Sequence, residues 1–499
     1  MQQRRVITAA LALPLPLLAL VVCTAAVRSA GARSLPTPQP IWDEAQLVST
    51  STTPPTEAQC FSVGRRCFTP QGIHAAYNVG PLYTEGLDGA GQTIAIVDAY
   101  GSDTMAHDLH VFDQAFGLQP MCGEEGVSCG PGMPTFSRLA LQGTPATKAP
   151  PSQSHGTGQE DKSAWALEVA LDVETAHAMA PMANILLVTT PTAETLGVQG
   201  FPQMMAAEDY VVRHHLATVI SQSFASSEAM FEGTAALQQL RYAFEDAAAN
   251  GVSVLAGSGD YGSAMVSKEP VGQGGNLFPN PGVWWPASDP LVTGVGGTYL
   301  CTDPFATTTR VVDSADPPTR CQANPGQAEV GWIDAGGGYS SVFARPSYQD
   351  VLPAGSTPID STRGVPDVAL QASATTGALV YLSLPPAGNG GLSCGSAPCS
   401  TGWYDIGGTS LATPQWAGLV AIADQLHGGG LGLLNPLLYE IASSPSAYAN
   451  DFYDVIVGNN GAFAPDIPGY SASTGWDPVT GLGTPNAANL IPDLVAAAS

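Results

Sequence analysis

The feature that most constrains how this chain can fold is a repeated alternation of short apolar strands with longer amphipathic segments. Thr93–Val97, ending at Asp98, reads as a strand, as do Asn184–Thr189, Thr218–Gln222 and Val252–Ala256. Between and after them Ala164–Ala180, Met204–His215 and Leu237–Ala249 read as helices. Strands that are apolar along their whole length, joined through helices, predict a mostly parallel sheet covered on both faces. Another helix is expected from Ser410 to about Leu426, with Pro414 in its first turn, where a missing N–H costs nothing. There is no internal repeat and no second linker, so the body reads as a single large α/β domain. Hydrophobic residues make up 44% of the 499, enough for a sizeable core and too many for bulk disorder.

The chain opens like an export signal. Arg4 and Arg5 precede an uncharged apolar run, Val6 to Val22, and Ala30-Gly31-Ala32 offers a small-residue cleavage site. An uncleaved anchor is the competing reading, which Pro14 and Pro16 weaken. No later apolar stretch reaches the length of a membrane span. The expectation is therefore a secreted, extracellular monomer with no membrane attachment once residues 1–32 are removed. Residues 33–59 form a Pro/Thr-rich lead-in, expected to be irregular and too short for a full, independently folded pro-domain. The body runs from 60 to 499.

Eight cysteines follow the signal, in close pairs: Cys60/Cys67, Cys122/Cys129, Cys301/Cys321 and Cys394/Cys399. An even count in an exported chain favours disulfides, and neighbour pairing is the expectation, although spacing alone does not fix connectivity. Zinc is the alternative, but no C-x-x-C spacing and no histidine cluster supports it. Acids outnumber Lys plus Arg by 42 to 16, which excludes nucleic acid as a natural partner. That balance suits life at low pH, where acids are partly neutral; plain solubility at neutral pH explains it as well.

Three segments carry chemistry. In Trp165-Ala-Leu-Glu168-Val-Ala-Leu-Asp172, Glu168 and Asp172 lie four apart on one helix face, among Leu167, Val169, Leu171 and Val173. Like charges at that spacing cost an isolated helix about 0.2–0.5 kcal/mol, so helix stability does not explain them. A partly buried carboxyl pair shares a proton, as a base that must take and return one requires. A solvated acidic face is the plainer reading. In Gly407-Gly408-Thr409-Ser410, glycines allow a sharp turn and Ser410 falls at a helix start, where free N–H groups face a developing oxyanion; an ordinary serine cap is the alternative. Ala256-Gly-Ser-Gly-Asp260 ends an apolar strand, where parallel sheets place ligands, although an Asx turn would look the same.

Taken in order, Glu168, Leu171-Asp172, Ala180-Pro181, Ser258-Gly259-Asp260 and Gly408-Thr409-Ser410 resemble the motifs of the sedolisins, the serine-carboxyl peptidases. Lesser matches include Trp285-Pro286-Ala287-Ser288, Gly336-Gly337-Gly338 and Arg363-Gly-Val-Pro-Asp367. The resemblance spans roughly residues 66 to 490. It implies a subtilisin-like fold and peptide or protein substrates. It makes Ser410 the nucleophile, Glu168 its base, Asp172 the partner of that base, and a protonated Asp260 the oxyanion donor. It also implies one structural Ca2+, held by the side chains of Asp454 and Asp477 and the carbonyls of Val455, Ser473 and Gly475. Ser473 stands where the family often has glycine, which a backbone ligand tolerates if φ is negative. An acid-acting endopeptidase is the leading expectation. A tripeptidyl aminopeptidase of the same family, or an inactive peptidase-like binding protein, are the alternatives.

Asp98 and His155 together imitate the Asp and His motifs of subtilisin. His155 leads into the polar stretch Gly158 to Ser163 rather than an apolar helix, so the pair is set aside as a lure.

Overall fold

The computed structural model describes residues 45–141, 159–193, 200–266, 277–301, 320–384, 393–394, 397–398, 400–461 and 466–499, with the backbone alone for 159–162, 393–394 and 397–398. The signal segment and His155 lie outside the described residues, as does the side-chain pairing of Cys394 with Cys399.

The core is an eight-stranded sheet. Across it the strands run Glu329–Gly331, Thr293–Leu300, Ser253–Gly257, Val219–Gln222, Thr93–Ala99, Asn184–Thr190 and Phe136–Ala140, with Val368–Gln371 also paired to Thr293–Leu300. Every pairing is parallel except that of Glu329–Gly331. The mostly parallel α/β sheet expected from the strand–helix rhythm is therefore present. The chain reverses its direction of travel across the sheet at Thr93–Ala99, whose neighbours are Asn184–Thr190 and Val219–Gln222. At such a reversal the crossover helices diverge and leave a crevice at the strands' carboxyl ends.

Two helices fill one face: Gln159–Met179, here the carboxyl helix, and Thr409–His427, the Ser410 helix. Both feed the larger apolar cluster, with Val169, Val173, Trp416 and Val420 fully or almost fully buried. Gly418 lets them approach closely. A Cβ there would lie 2.6 Å from Met179 Cβ. The other face carries Phe201–Arg213 and Tyr242–Ala249 over a second cluster around Trp285 and Phe244.

Three of the four expected disulfides are present: Cys60–Cys67, Cys122–Cys129 and Cys301–Cys321. Two expectations need correction. Leu237–Ala249 is two helices, Thr234–Gln238 and Tyr242–Ala249, separated by a turn at 239–241, where the Arg241 side chain pairs with buried Asp289, 2.6 Å away. The lead-in is not irregular throughout: Gln46–Ser49 is a strand and Glu57–Ser62 a helix. No helix among the described residues is long and apolar enough to cross a membrane.

Behind the sheet end, Arg363 and Asp367 form a fully buried ion pair, with Nη1 donating to Oδ1 at 2.8 Å. Tyr439 Oη and Gly294 N complete the carboxylate's shell at 3.0 and 2.8 Å. Breaking one side of such a pair strands a buried charge. Arg363→Met is expected to destabilise the fold by about 3–5 kcal/mol, read as a large drop in Tm; an unchanged Tm would show that the pair contributes nothing.

Candidate active site

Three strand ends and two helices bring a group of buried polar side chains together. The carboxyl helix brings Glu168 and Asp172, both fully buried. Ser410, also fully buried, sits at the second position of its helix, behind Gly408 at φ 113°. Gly407 is required by close packing, since a Cβ there would meet Ala372 O at 2.3 Å. Gly408 N donates to that same carbonyl, fixing the turn that presents Ser410.

The Glu168 carboxyl faces the Ser410 hydroxyl, which draws its pKa down without the two groups closing a hydrogen bond, and neither Glu168 oxygen has a partner among the described residues. Burial is the larger effect and holds the Glu168 pKa well above the carboxylate range, helped by the charges of Asp172, Asp98 and Asp260. Asp172 is likewise pushed up by burial and by Asp98, against one hydrogen bond from Ser223 Oγ to its Oδ1 at 2.9 Å. The adjacent acids thus favour a shared proton over two full charges.

Asp260 follows the strand Ser253–Gly257. Its Oδ1 accepts two hydrogen bonds from Thr409, from N and from Oγ1, each 2.8 Å. Its Oδ2 is enclosed and has no hydrogen-bond partner among the described residues. Burial raises its pKa to about 7. The loop around it is held by glycine contacts: Gly336 N donates to Gly259 O at 2.7 Å, and a Cβ on Gly336 would lie 2.0 Å from Ser258 O.

All four expected residues therefore come together. Two others that the sequence reading missed join them. Asp98, set aside as a lure, stands at the carboxyl end of Thr93–Ala99, fully buried, without a hydrogen-bond partner among the described residues, its pKa raised by burial to about 8. It belongs to the carboxyl cluster instead of to a histidine. Its position at a strand end was the available signal. Ser223 had none.

The second expected site lies in the loops near the C-terminus. Gly475 N donates to both oxygens of Asp454, and Asp477 accepts from the backbone N of Ser473, Val479 and Thr480. Burial raises the pKa of both acids, Asp477 to about 7. Among the described residues no hydrogen bond reaches the carbonyl oxygens of Ser473 or Gly475. Ser473 is not among the residues with positive φ, so its substitution for glycine carries no backbone strain. No cluster of three or more His, Cys, Asp or Glu side chains suited to a metal occurs among the described residues, so a cation here would depend on backbone oxygens. One buried acid, one partly buried acid and the carbonyls of Ser473 and Gly475 fit a hard, oxygen-seeking ion.

No family model matches the chain. Kumamolisin from Bacillus sp. (strain MN-32) is 32% identical over 456 residues, covering 89% of this chain and 66% of that one. Pseudomonas sedolisin, a serine-carboxyl proteinase solved with two molecules of pseudo-iodotyrostatin, superposes with a TM-score of 0.58 at 26% identity, over 85% of this chain and 97% of that one. The chain belongs to the sedolisin family. Among its other relatives, sedolisin from Pseudomonas sp. (strain 101) is 33% identical over 57% of this chain, and tripeptidyl-peptidase 1 from Homo sapiens 29% identical over 68%. This sedolisin-family chain spans 66%, 42% and 53% of the lengths of kumamolisin, sedolisin and tripeptidyl-peptidase 1.

The single hydrogen bond from Ser223 gives a direct handle on the carboxyl pair. Ser223→Ala removes a donor that favours ionised Asp172, so the pair should hold its proton to higher pH. The acid limb of kcat/KM against pH is expected to move up by about one unit; a limb that stays put or moves down would disconnect Asp172 from the titrating pair.

Proposed function

We propose that this chain is a secreted serine-carboxyl endopeptidase that works at acid pH, and the observation that carries the reading is the Ser410 hydroxyl set against the buried, proton-sharing Glu168–Asp172 pair. Ser410 Oγ attacks the peptide carbonyl carbon and passes its proton to Glu168. Asp172 shares the pair's single negative charge before that transfer and, held by Ser223, keeps Glu168 oriented. The carbonyl oxygen becomes an oxyanion that accepts a hydrogen bond from protonated Asp260 Oδ2. Glu168 then gives its proton to the departing amine, leaving an acyl group on Ser410. A water attacks that ester, its proton returns through Glu168, and the acid product leaves.

The proton on Asp260 has a defined place. Thr409 saturates Oδ1 with two donors, so the acidic hydrogen belongs on Oδ2. A neutral carboxyl serving as oxyanion donor has a precedent in another enzyme. With a pKa near 7, this donor is intact in acid and becomes a repelling charge as pH rises. Secretion is supported by the apolar start of the chain and by three disulfides, which persist in oxidising compartments. The similarity to tripeptidyl-peptidase 1 favours one second reading, removal of tripeptides from free N-termini. An inactive binding protein fits poorly with four filled chemical positions.

For the calcium site, Asp454 and Asp477 would supply carboxylate oxygens and Val455, Ser473 and Gly475 their carbonyls. The ion would be structural, neutralising buried Asp477 and partly buried Asp454 and tying the C-terminal loops together.

A peptide-library digest from pH 2 to pH 8 tests the activity. Hydrolysis should fall as pH rises through about 7, vanish in Ser410→Ala, drop by roughly 1000-fold in Glu168→Gln, and persist in His155→Ala. Internal cuts mark an endopeptidase, whereas release of tripeptides alone marks the second reading. Asp260→Asn should flatten the alkaline fall, because its amide nitrogen replaces the Oδ2 hydrogen and does not ionise. Faster hydrolysis at pH 8 than at pH 4 would sink the mechanism. Separately, a chelator should lower Tm and added Ca2+ should restore it by mass action; a Tm indifferent to both excludes the ion.

A further inference from the structure

Gln46–Ser49 lies antiparallel to Gly402–Ile406, with Gln46 opposite Asp405, Leu47 opposite Tyr404 and Ser49 opposite Trp403. Gly402–Ile406 is the strand that runs directly into Gly407-Gly408-Thr409-Ser410. On its other side it pairs with Ala378–Leu382. The lead-in thus completes a three-stranded sheet whose central strand delivers the proposed nucleophile.

The fit is that of a permanent part. Ala45 and Gln46 are 1% and 7% exposed. Leu47 packs on the main core, and Val48 on the cluster that holds Trp403, Phe112 and Cys60. Gly402 has φ 154°, and a Cβ there would lie 2.1 Å from Ser49 O, so this glycine accommodates the lead-in itself. Downstream, Thr56 and Gln59 form a reciprocal cap on Glu57–Ser62, and Cys60 is bonded to Cys67. Arg66 N, Phe68 N and Phe68 O then hydrogen-bond to Thr375 O, Gly377 O and Leu379 N. Asp405 is fully buried with neither oxygen partnered among the described residues, and the charge that eases it comes from Arg65. Loss of the segment would unpair the central strand, expose Trp403 and remove that cation.

We propose that residues 45–67 are retained in the mature enzyme as a positioning element for Ser410, and that any maturation cut falls before Ala45. The inference rests on Ser410 being the nucleophile.

Intact-mass measurement of the active enzyme should place its N-terminus before Ala45; an active enzyme beginning after Ser49 overturns the proposal. A recognition site for a site-specific protease, built into the exposed turn at 50–53 of the full chain, provides a second measurement. After cutting, the upstream peptide should stay bound through gel filtration with activity unchanged. Its release with activity unchanged or increased would also overturn the proposal. Gly402→Val in the uncut chain should lower kcat roughly 10-fold or more while KM changes little, as a displaced nucleophile would; an unchanged kcat counts against positioning. Failure of the Ser410 reading would appear separately, as hydrolysis surviving Ser410→Ala, whatever the N-terminus.

Discussion

A carboxyl group buried without a cation keeps its proton, and that constraint organises this molecule. With 42 acids and 16 Lys plus Arg, the chain has too few cations to pair the acids it buries. Among the described residues, Arg363–Asp367, Arg241–Asp289 and His177–Asp113 are exceptions. Glu174, Glu208 and Asp405 are instead enclosed with their pKa values raised well above normal, and Glu329 reaches about 7. A group whose folded pKa is raised contributes stability that is complete below its unfolded pKa and is lost as pH rises through the folded one. The acids that tune the candidate site and those that tune the fold therefore point the same way, toward acid.

The sheet's topology decides where this chemistry can assemble. Because the chain reverses direction at Thr93–Ala99, the carboxyl ends of three adjacent strands open on one crevice. They lead to Asp98, to Ser223 and to Asp260. The two helices on the face below supply the remaining groups. Gly418 brings the Ser410 helix hard against Met179 and Ala176 of the carboxyl helix, so the separation between nucleophile and carboxyl pair is set by backbone packing and not by flexible side chains.

What could be read in the sequence was local. The parallel strands announced themselves as apolar runs, and Glu168, Asp172, Asp260 and Ser410 by spacing and by glycines. The Cys pairs were close enough in sequence to find each other. What could not be read was non-local. Gln46-Leu-Val-Ser lies in Pro/Thr-rich surroundings that look irregular, and it becomes a strand only because Gly402–Ile406 offers an edge some 350 positions away. Asp98 was visible as a strand end, but which groups it would face depends on two crossovers that the sequence does not print. The split of Leu237–Ala249 also sits in a non-local setting, with the side chain of Arg241 at the junction bonded to Asp289.

Three acids of similar chemistry can hold different parts because their hydrogen-bond donors differ. Asp260 has two donors on one oxygen, which confines its proton to the other and gives it a direction. Asp172 has one donor, which supports partial charge without fixing it. Glu168 is faced by the Ser410 hydroxyl, which draws its pKa down while burial and the neighbouring acids push it up, and that opposition suits a group that must accept and return a proton. These different partners match the proposed roles of oxyanion donor, charge partner and base. Two of them, Thr409 and Ser223, are hydroxyl residues that never need to touch the substrate.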